Sequence, residues 1–228
     1  MRPIGCDRER AWTEVAQSLA PGFFGKLPSH GDFVSRRVPP GLLGPWEAWL
    51  DAWIGQSRDF FGDTWLETYF SSPIWRFCAS AGCCGDQPFC GLLIPSLDRL
   101  GRFYPVSILT PLGPQDLPFG IATAAIAWFD AVEVLALSCL RDGFEFAAFD
   151  ADLAAAVSPV VESGEATLEM PVTEAGLAPM IGHPLGRLLA SSAVAHSLWW
   201  TSGSRAIAAC CRAYPGLPSA EDFAKLLG

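Results

Sequence analysis

Charge is scarce in this 228-residue chain: 17% of its residues are Asp, Glu, Lys or Arg, and there are three histidines and three tyrosines. The little charge present leans acidic, to a net −9 at neutral pH, and it is uneven. Residues 1–110 hold ten basic and eleven acidic side chains, whereas residues 111–228 hold five and thirteen. No Lys/Arg run or basic stripe occurs, so the chain lacks the electrostatic attraction that drives binding to a phosphate backbone, and no nucleic-acid partner is expected.

An uninterrupted apolar leader is also missing. Arg2, Asp7, Arg8, Glu9 and Arg10 break up the start, which points to the cytoplasm and to reduced thiols. The eight cysteines are therefore read as small buried hydrophobes. Cys78, Cys83, Cys84 and Cys90 form the one thiol cluster, but adjacent cysteines point apart on extended chain, so no metal site is expected there or at Cys210-Cys211. The longest apolar stretch, Leu117 to Leu140, is interrupted by Asp130 and Glu133 and repeats on one side only, through Ala125, Trp128, Phe129, Val132, Leu135, Ala136 and Cys139. That is the pattern of a buried helix, with no direct membrane insertion.

The signatures of common enzymes are absent too: no G-x-S-x-G elbow, phosphate-binding loop, dinucleotide fingerprint or H-E-x-x-H. Ser29-His30-Gly31-Asp32 has the residue types of a catalytic triad, but sequence neighbours rarely converge as nucleophile, base and orienter. His183 and His196 stand alone and read as polar contacts. No catalytic residue and no cofactor is assigned.

What the chain has is apolar material, 50% of its residues, and nine tryptophans. Leu42, Trp46, Trp49, Leu50, Trp53 and Ile54 fall on one helical stripe and mark a core helix. Thr64 with Glu67 suggests a capping box for a second helix, with Trp65, Leu66 and Tyr69 inward. Strands are expected near 22–28, 31–34, 73–80, 89–94 and 103–110, and helices at 118–140 and 145–157. The latter helix would turn Phe146, Phe149, Leu153 and Val157 to one side.

A short helix at 7–19 precedes this body. An irregular segment at 158–182, a helix near 185–191, a hairpin of 197–201 with 205–211 and a final helix capped by Ser219 and Asp222 follow it. Of Trp199 and Trp200, neighbours on a strand, one is expected outside. The fold class is α+β, an antiparallel sheet flanked by helices, with a smaller C-terminal α/β subdomain. Its expected divisions are 1–20 as an extension, 21–157 as the main domain, 158–182 as a linker and 183–228 as the subdomain.

Midway lies Ile94-Pro95-Ser96-Leu97-Asp98-Arg99-Leu100-Gly101-Arg102-Phe103-Tyr104-Pro105. Two prolines stiffen its ends, Gly101 permits a tight turn, and Asp98 faces Arg99 and Arg102. These charges form either an ion-paired knot or a solvated loop.

Gly25-Lys26-Leu27-Pro28, Gly31-Asp32-Phe33, Trp46, Trp49-Leu50, Pro73-Ile74-Trp75-Arg76-Phe77, Pro95-Ser96-Leu97-Asp98 and Gly101-Arg102, in that order, resemble the TagF family. The family, also called ImpM, is associated with bacterial type VI secretion, and the resemblance spans about residues 21–112. It implies a longin-like α/β fold and a cytoplasmic accessory protein that restrains the apparatus after translation through a forkhead-associated scaffold protein. Some relatives are fused to a PP2C-like phosphatase domain, for which this chain has no room, so that activity is not expected here. Lys26, Asp32, Trp75, Arg76, Ser96, Asp98 and Arg102 are the candidate interaction residues. The plainer alternative makes Trp75 core and the charged residues turn fasteners. The rival function is a small hydrolase or phosphate-binding enzyme built on Ser29, His30, Asp32, Ser96 and Asp98, with Arg102 as a further polar group.

Overall fold

A computed structural model describes residues 20–113, 118–156, 159 and 195–227. The expected helices at 7–19 and 185–191, Val157, His183 and all of the 158–182 connection except residue 159 lie outside them.

The described elements are β1 (Gly22–Lys26), β2 (Phe33–Arg36), α1 (Pro40–Phe61), α2 (Trp65–Ser71), β3 (Trp75–Ala79), β4 (Phe89–Ile94) and β5 (Val106–Pro111). They continue with α3 (Pro118–Ala124), α4 (Ile126–Ser138), α5 (Phe146–Ala155), β6 (His196–Thr201), β7 (Cys210–Pro215) and α6 (Ala220–Leu227). The strands form one seven-stranded sheet in the order β2-β1-β5-β4-β3-β6-β7, and every pair is antiparallel.

Strand alternation divides the core in two. Trp75, Phe77 and Ala79 of β3 join Trp46, Leu50 and Trp53 of α1 on one face. Cys78, Cys90, Leu92 and Ile108 meet Phe129 and Val132 of α4 on the other. Helices on both faces explain why every residue of β4 and β5 is buried. Gly91 is required within this packing: a Cβ there would lie 1.8 Å from the Ile108 carbonyl oxygen.

The tryptophan stripe packs as its spacing predicts. Trp46 is fully buried, its ring centroid 4.9 Å from that of Phe77, and its indole N–H donates to Ser107 Oγ at 2.9 Å. The inward reading of α2 holds for Trp65 and Tyr69 but not for Leu66, which is 43% exposed. Nor does Thr64 form the expected capping box, because its hydroxyl donates to the Phe61 carbonyl instead. The expected 118–140 helix is two helices, broken at Ala125 where the backbone leaves the helical region at φ −100°, ψ 26°. Both pieces still bury their apolar side, Ile121 on α3 and Phe129, Val132 and Ala136 on α4.

The C-terminal segment departs most from expectation. β6 pairs with β3 and β7 with β6, so the residues read as a separate subdomain extend the main sheet. Their hairpin is Thr201↔Cys210 in register, with 202–209 as its loop, and not a turn of three residues. Ser204 explains the difference: its Oγ accepts the N–H groups of Ala206 and Ile207, and its own N–H donates to the Ile207 carbonyl. That closes a local loop where a strand was expected. Neither member of the Trp199-Trp200 pair is exposed. Trp199 is fully buried 4.7 Å from Phe77, and Trp200 packs edge-on against Phe129 at 4.8 Å, because helices cover both faces of β6. At the end of the chain, Ser219 Oγ donates to Asp222 Oδ2 at 2.7 Å, and the Leu226 carbonyl accepts the indole N–H of Trp75.

Candidate interaction surface

The connection between β4 and β5 is a knot, and Asp98 is its centre. The residue is 1% exposed. Its Oδ1 accepts the N–H groups of Leu100 and Arg102, each at 2.9 Å, and its Oδ2 faces Arg102 Nε at 2.6 Å and Lys26 Nζ at 3.3 Å. Gly101, at φ +79°, closes the turn by donating to the Asp98 carbonyl. Burial favours the neutral acid, but the N–H and guanidinium of Arg102, the N–H of Leu100 and the Lys26 ammonium outweigh it and hold the carboxyl well below the usual range.

Hydrogen bonds then sew this turn to its surroundings. Ser96 Oγ donates to the Lys26 carbonyl at 2.7 Å, and the Tyr69 hydroxyl both accepts from the Ser96 N–H and donates to the Ser96 carbonyl. Burial pushes the Tyr69 phenol far up, so it stays protonated and able to donate. Arg102 Nη2 donates to the Gly31 carbonyl, and the Arg99 N–H to that of His30. Arg99 is exposed, and of the two arginines offered by the sequence it is Arg102 whose guanidinium holds Asp98.

Lys26, Ser96, Asp98 and Arg102 therefore converge, as four of the seven candidate residues. Asp32 sits at the margin, exposed, with Oδ1 accepting the N–H of Phe33. Trp75 and Arg76 lie elsewhere. Being neighbours on β3 they face opposite ways: Trp75 into the core under α1, Arg76 onto α4, where Asp130 and Glu133 pair with it at 2.7 and 2.8 Å. Burial works against the Arg76 charge, but these two carboxylates more than compensate and raise its pKa.

Of the hydrolase residues, Ser29 and His30 meet at the surface, whereas Ser96 and Asp98 are held within the knot. Ser29 Oγ lies 2.9 Å from His30 Nδ1 at the surface, and the His30 ring packs on Phe146 at 4.6 Å. A cleft of about 630 Å³ opens beside the knot and another of about 370 Å³ beside Cys84 and Phe89; His30, Ser96 and Asp98 line neither. Cys78 and Cys90 are opposite one another on β3 and β4. Burial pushes the thiols of Cys83 and Cys84 up to about 11 and 12, which keeps them protonated. Among the described residues no group of three or more His, Cys, Asp or Glu could hold a metal ion, and no helix is long and apolar enough to cross a membrane.

The larger cleft is lined by Phe33, Phe103 and Tyr104 on one side and by Glu47, Asp51 and Arg58 of α1 on the other, with Lys26 and Arg102 at the knot. The Tyr104 hydroxyl donates to Asp51 Oδ1 at 3.1 Å. Its ring is edge-on to Phe33 at 4.7 Å, and Phe103 is edge-on to Phe70 at 5.3 Å, which carries the aromatic surface from the cleft onto α2. Sequence reasoning missed the α1 contribution. Its signal was available in Glu47, Asp51 and Arg58, spaced four and seven apart beside the tryptophan stripe, which is one helix flank.

Comparison with known proteins agrees with this picture. The profile of the TagF N-terminal domain, type VI secretion system-associated, matches residues 22–156. The crystal structure of PA0076 from Pseudomonas aeruginosa PAO1 superposes with a TM-score of 0.75 at 35% sequence identity, covering 91% of this chain and 94% of that one. A search of curated proteins returned no match. The match extends the resemblance from the strands and knot through α5, and the chain belongs to the TagF family of type VI secretion-associated proteins.

Proposed function

We propose that this protein is a cytoplasmic accessory factor that restrains the type VI secretion apparatus after translation, by binding a forkhead-associated scaffold protein and without catalysing a reaction. Family membership over residues 22–156 supports the link to secretion. The observation that carries the non-catalytic reading is the knot itself. The Ser96 hydroxyl is committed to the Lys26 carbonyl, and both Asp98 oxygens are committed to backbone and cationic donors, so neither residue is poised to act on a substrate. The aromatic side chains along the cleft beside the knot are of the kind that protein contacts favour.

The test pairs binding with secretion. The purified chain should capture the purified scaffold protein from the same cell, overproduction should lower effector secretion, and deletion of the gene should raise it. Secretion unchanged in both directions, with no complex formed, would sink the proposal. Turnover of an ester or phosphoester substrate, abolished by Ser29→Ala or His30→Ala in folded protein, would favour the hydrolase instead.

A further inference from the structure

α2 presents two large apolar side chains that its own fold leaves uncovered. Leu66 and Phe70, four apart and so on one helix face, are 43% and 50% exposed, while Trp65 and Tyr69 on the adjacent face are buried. Phe103 from the knot extends this ledge by its contact with Phe70. In the last turn of α1, Phe60 is 71% exposed. Large apolar side chains left on the surface at neighbouring positions are an expensive way to face water, and contiguous patches of them mark contact sites.

The charge around the ledge leans acidic; Arg102, the exposed base beside Phe103, is already engaged by Asp98 and the Gly31 carbonyl. Asp59, Asp63 and Glu67 are exposed, and residues 59–71 contain no Lys or Arg. The nearest base in sequence, Arg58, lies on the cleft side of α2, with its guanidinium 4.5 Å from the centre of the Trp65 ring. An apolar surface rimmed by carboxylates complements an apolar segment flanked by cations.

We infer that the Leu66, Phe70 and Phe103 ledge is a docking surface for a protein partner, and that the segment it takes is apolar with Lys or Arg beside it. This rests on the reading of the protein as a regulator acting by contact, and it adds the face used and the chemistry of the partner. The partner's apolar side chains lie on Leu66 and Phe70, its cations oppose Asp63 and Glu67, and the rigid knot holds Phe103 in place from below.

The experiment compares wild type, Leu66→Ser/Phe70→Ser and Asp63→Lys/Glu67→Lys, each verified as folded by circular dichroism and thermal melting. Affinity for the purified scaffold protein is measured at low and high salt. The expected result is a loss of at least about tenfold in both variants, with the charge-reversed pair recovering part of it at high salt. Affinities within twofold of wild type would overturn the inference while leaving the regulator reading intact. If wild type does not bind the scaffold at all, that reading fails, and the ledge is judged separately by nitrogen-15 NMR with an amphipathic Lys/Leu helical peptide and a Glu/Leu counterpart. Shifts centred on residues 63–71 and 103 with the Lys/Leu peptide alone support the docking chemistry; no such shifts, or equal shifts with both peptides, overturn it.

Discussion

Asp98 shows how one residue can hold a surface in shape without touching a ligand. Its carboxylate organises a five-residue turn and holds two cations, so its removal leaves Lys26, itself 7% exposed, without its partner. Asp98→Asn should lower stability at neutral pH. The sign with pH follows from the depressed pKa: the contribution is complete above the ordinary aspartate value of 3.8 and is lost as pH falls towards the lower folded value. Urea unfolding of wild type and Asp98→Asn should therefore show a wide gap in midpoint at pH 7 and a narrower one at pH 3. A gap that stays constant would mean the carboxylate's charge is not what holds the knot.

Elements are held together at a few points where packing leaves no slack. α1 is fastened to β5 by the buried Trp46 to Ser107 hydrogen bond. Ser107→Ala strands an indole N–H in the core and should cost about 1–3 kcal/mol, seen as a lower urea midpoint at unchanged slope. β4 and β5 approach so closely that Gly91→Ala places its methyl group on the Ile108 carbonyl. Relief requires the two central strands to separate, and the expected loss is about 4 kcal/mol or more, which thermal melting or failure to accumulate as soluble protein will register. An unperturbed melting temperature would show that the sheet opens more easily than its packing implies.

At the scale of the whole molecule, the sheet does not end where the family profile does. Residues 22–156 match the profile, yet β6 pairs with β3, Trp199 packs on Phe77 in the α1 core, and the backbone of Leu226 satisfies Trp75. A chain cut after residue 156 would expose the edge of β3 and empty part of the α1 core. It should aggregate, or lose the near-ultraviolet circular dichroism of its tryptophans, while the full chain remains soluble and cooperative in melting. A truncated chain with a sharp thermal transition like that of the full protein would show the C-terminal hairpin to be dispensable.

The sequence by itself determined the fold class, the positions of α1 and the central strands, the inward tryptophans of α1 and the residues of the β4–β5 turn, though not whether the charges of that turn pair. Each of these is written in short-range periodicity, in paired prolines and glycine, or in charges four residues apart. Only the tertiary structure decided that Trp75 and Arg76 leave the knot, that Leu66 faces water, that the C-terminal hairpin joins the main sheet, and that Glu47, Asp51 and Arg58 border a cleft. The reason is common to all four. Strand order, and the choice of which helix covers which face, are set by contacts between residues far apart in the chain, and those contacts leave no mark on the spacing of neighbours.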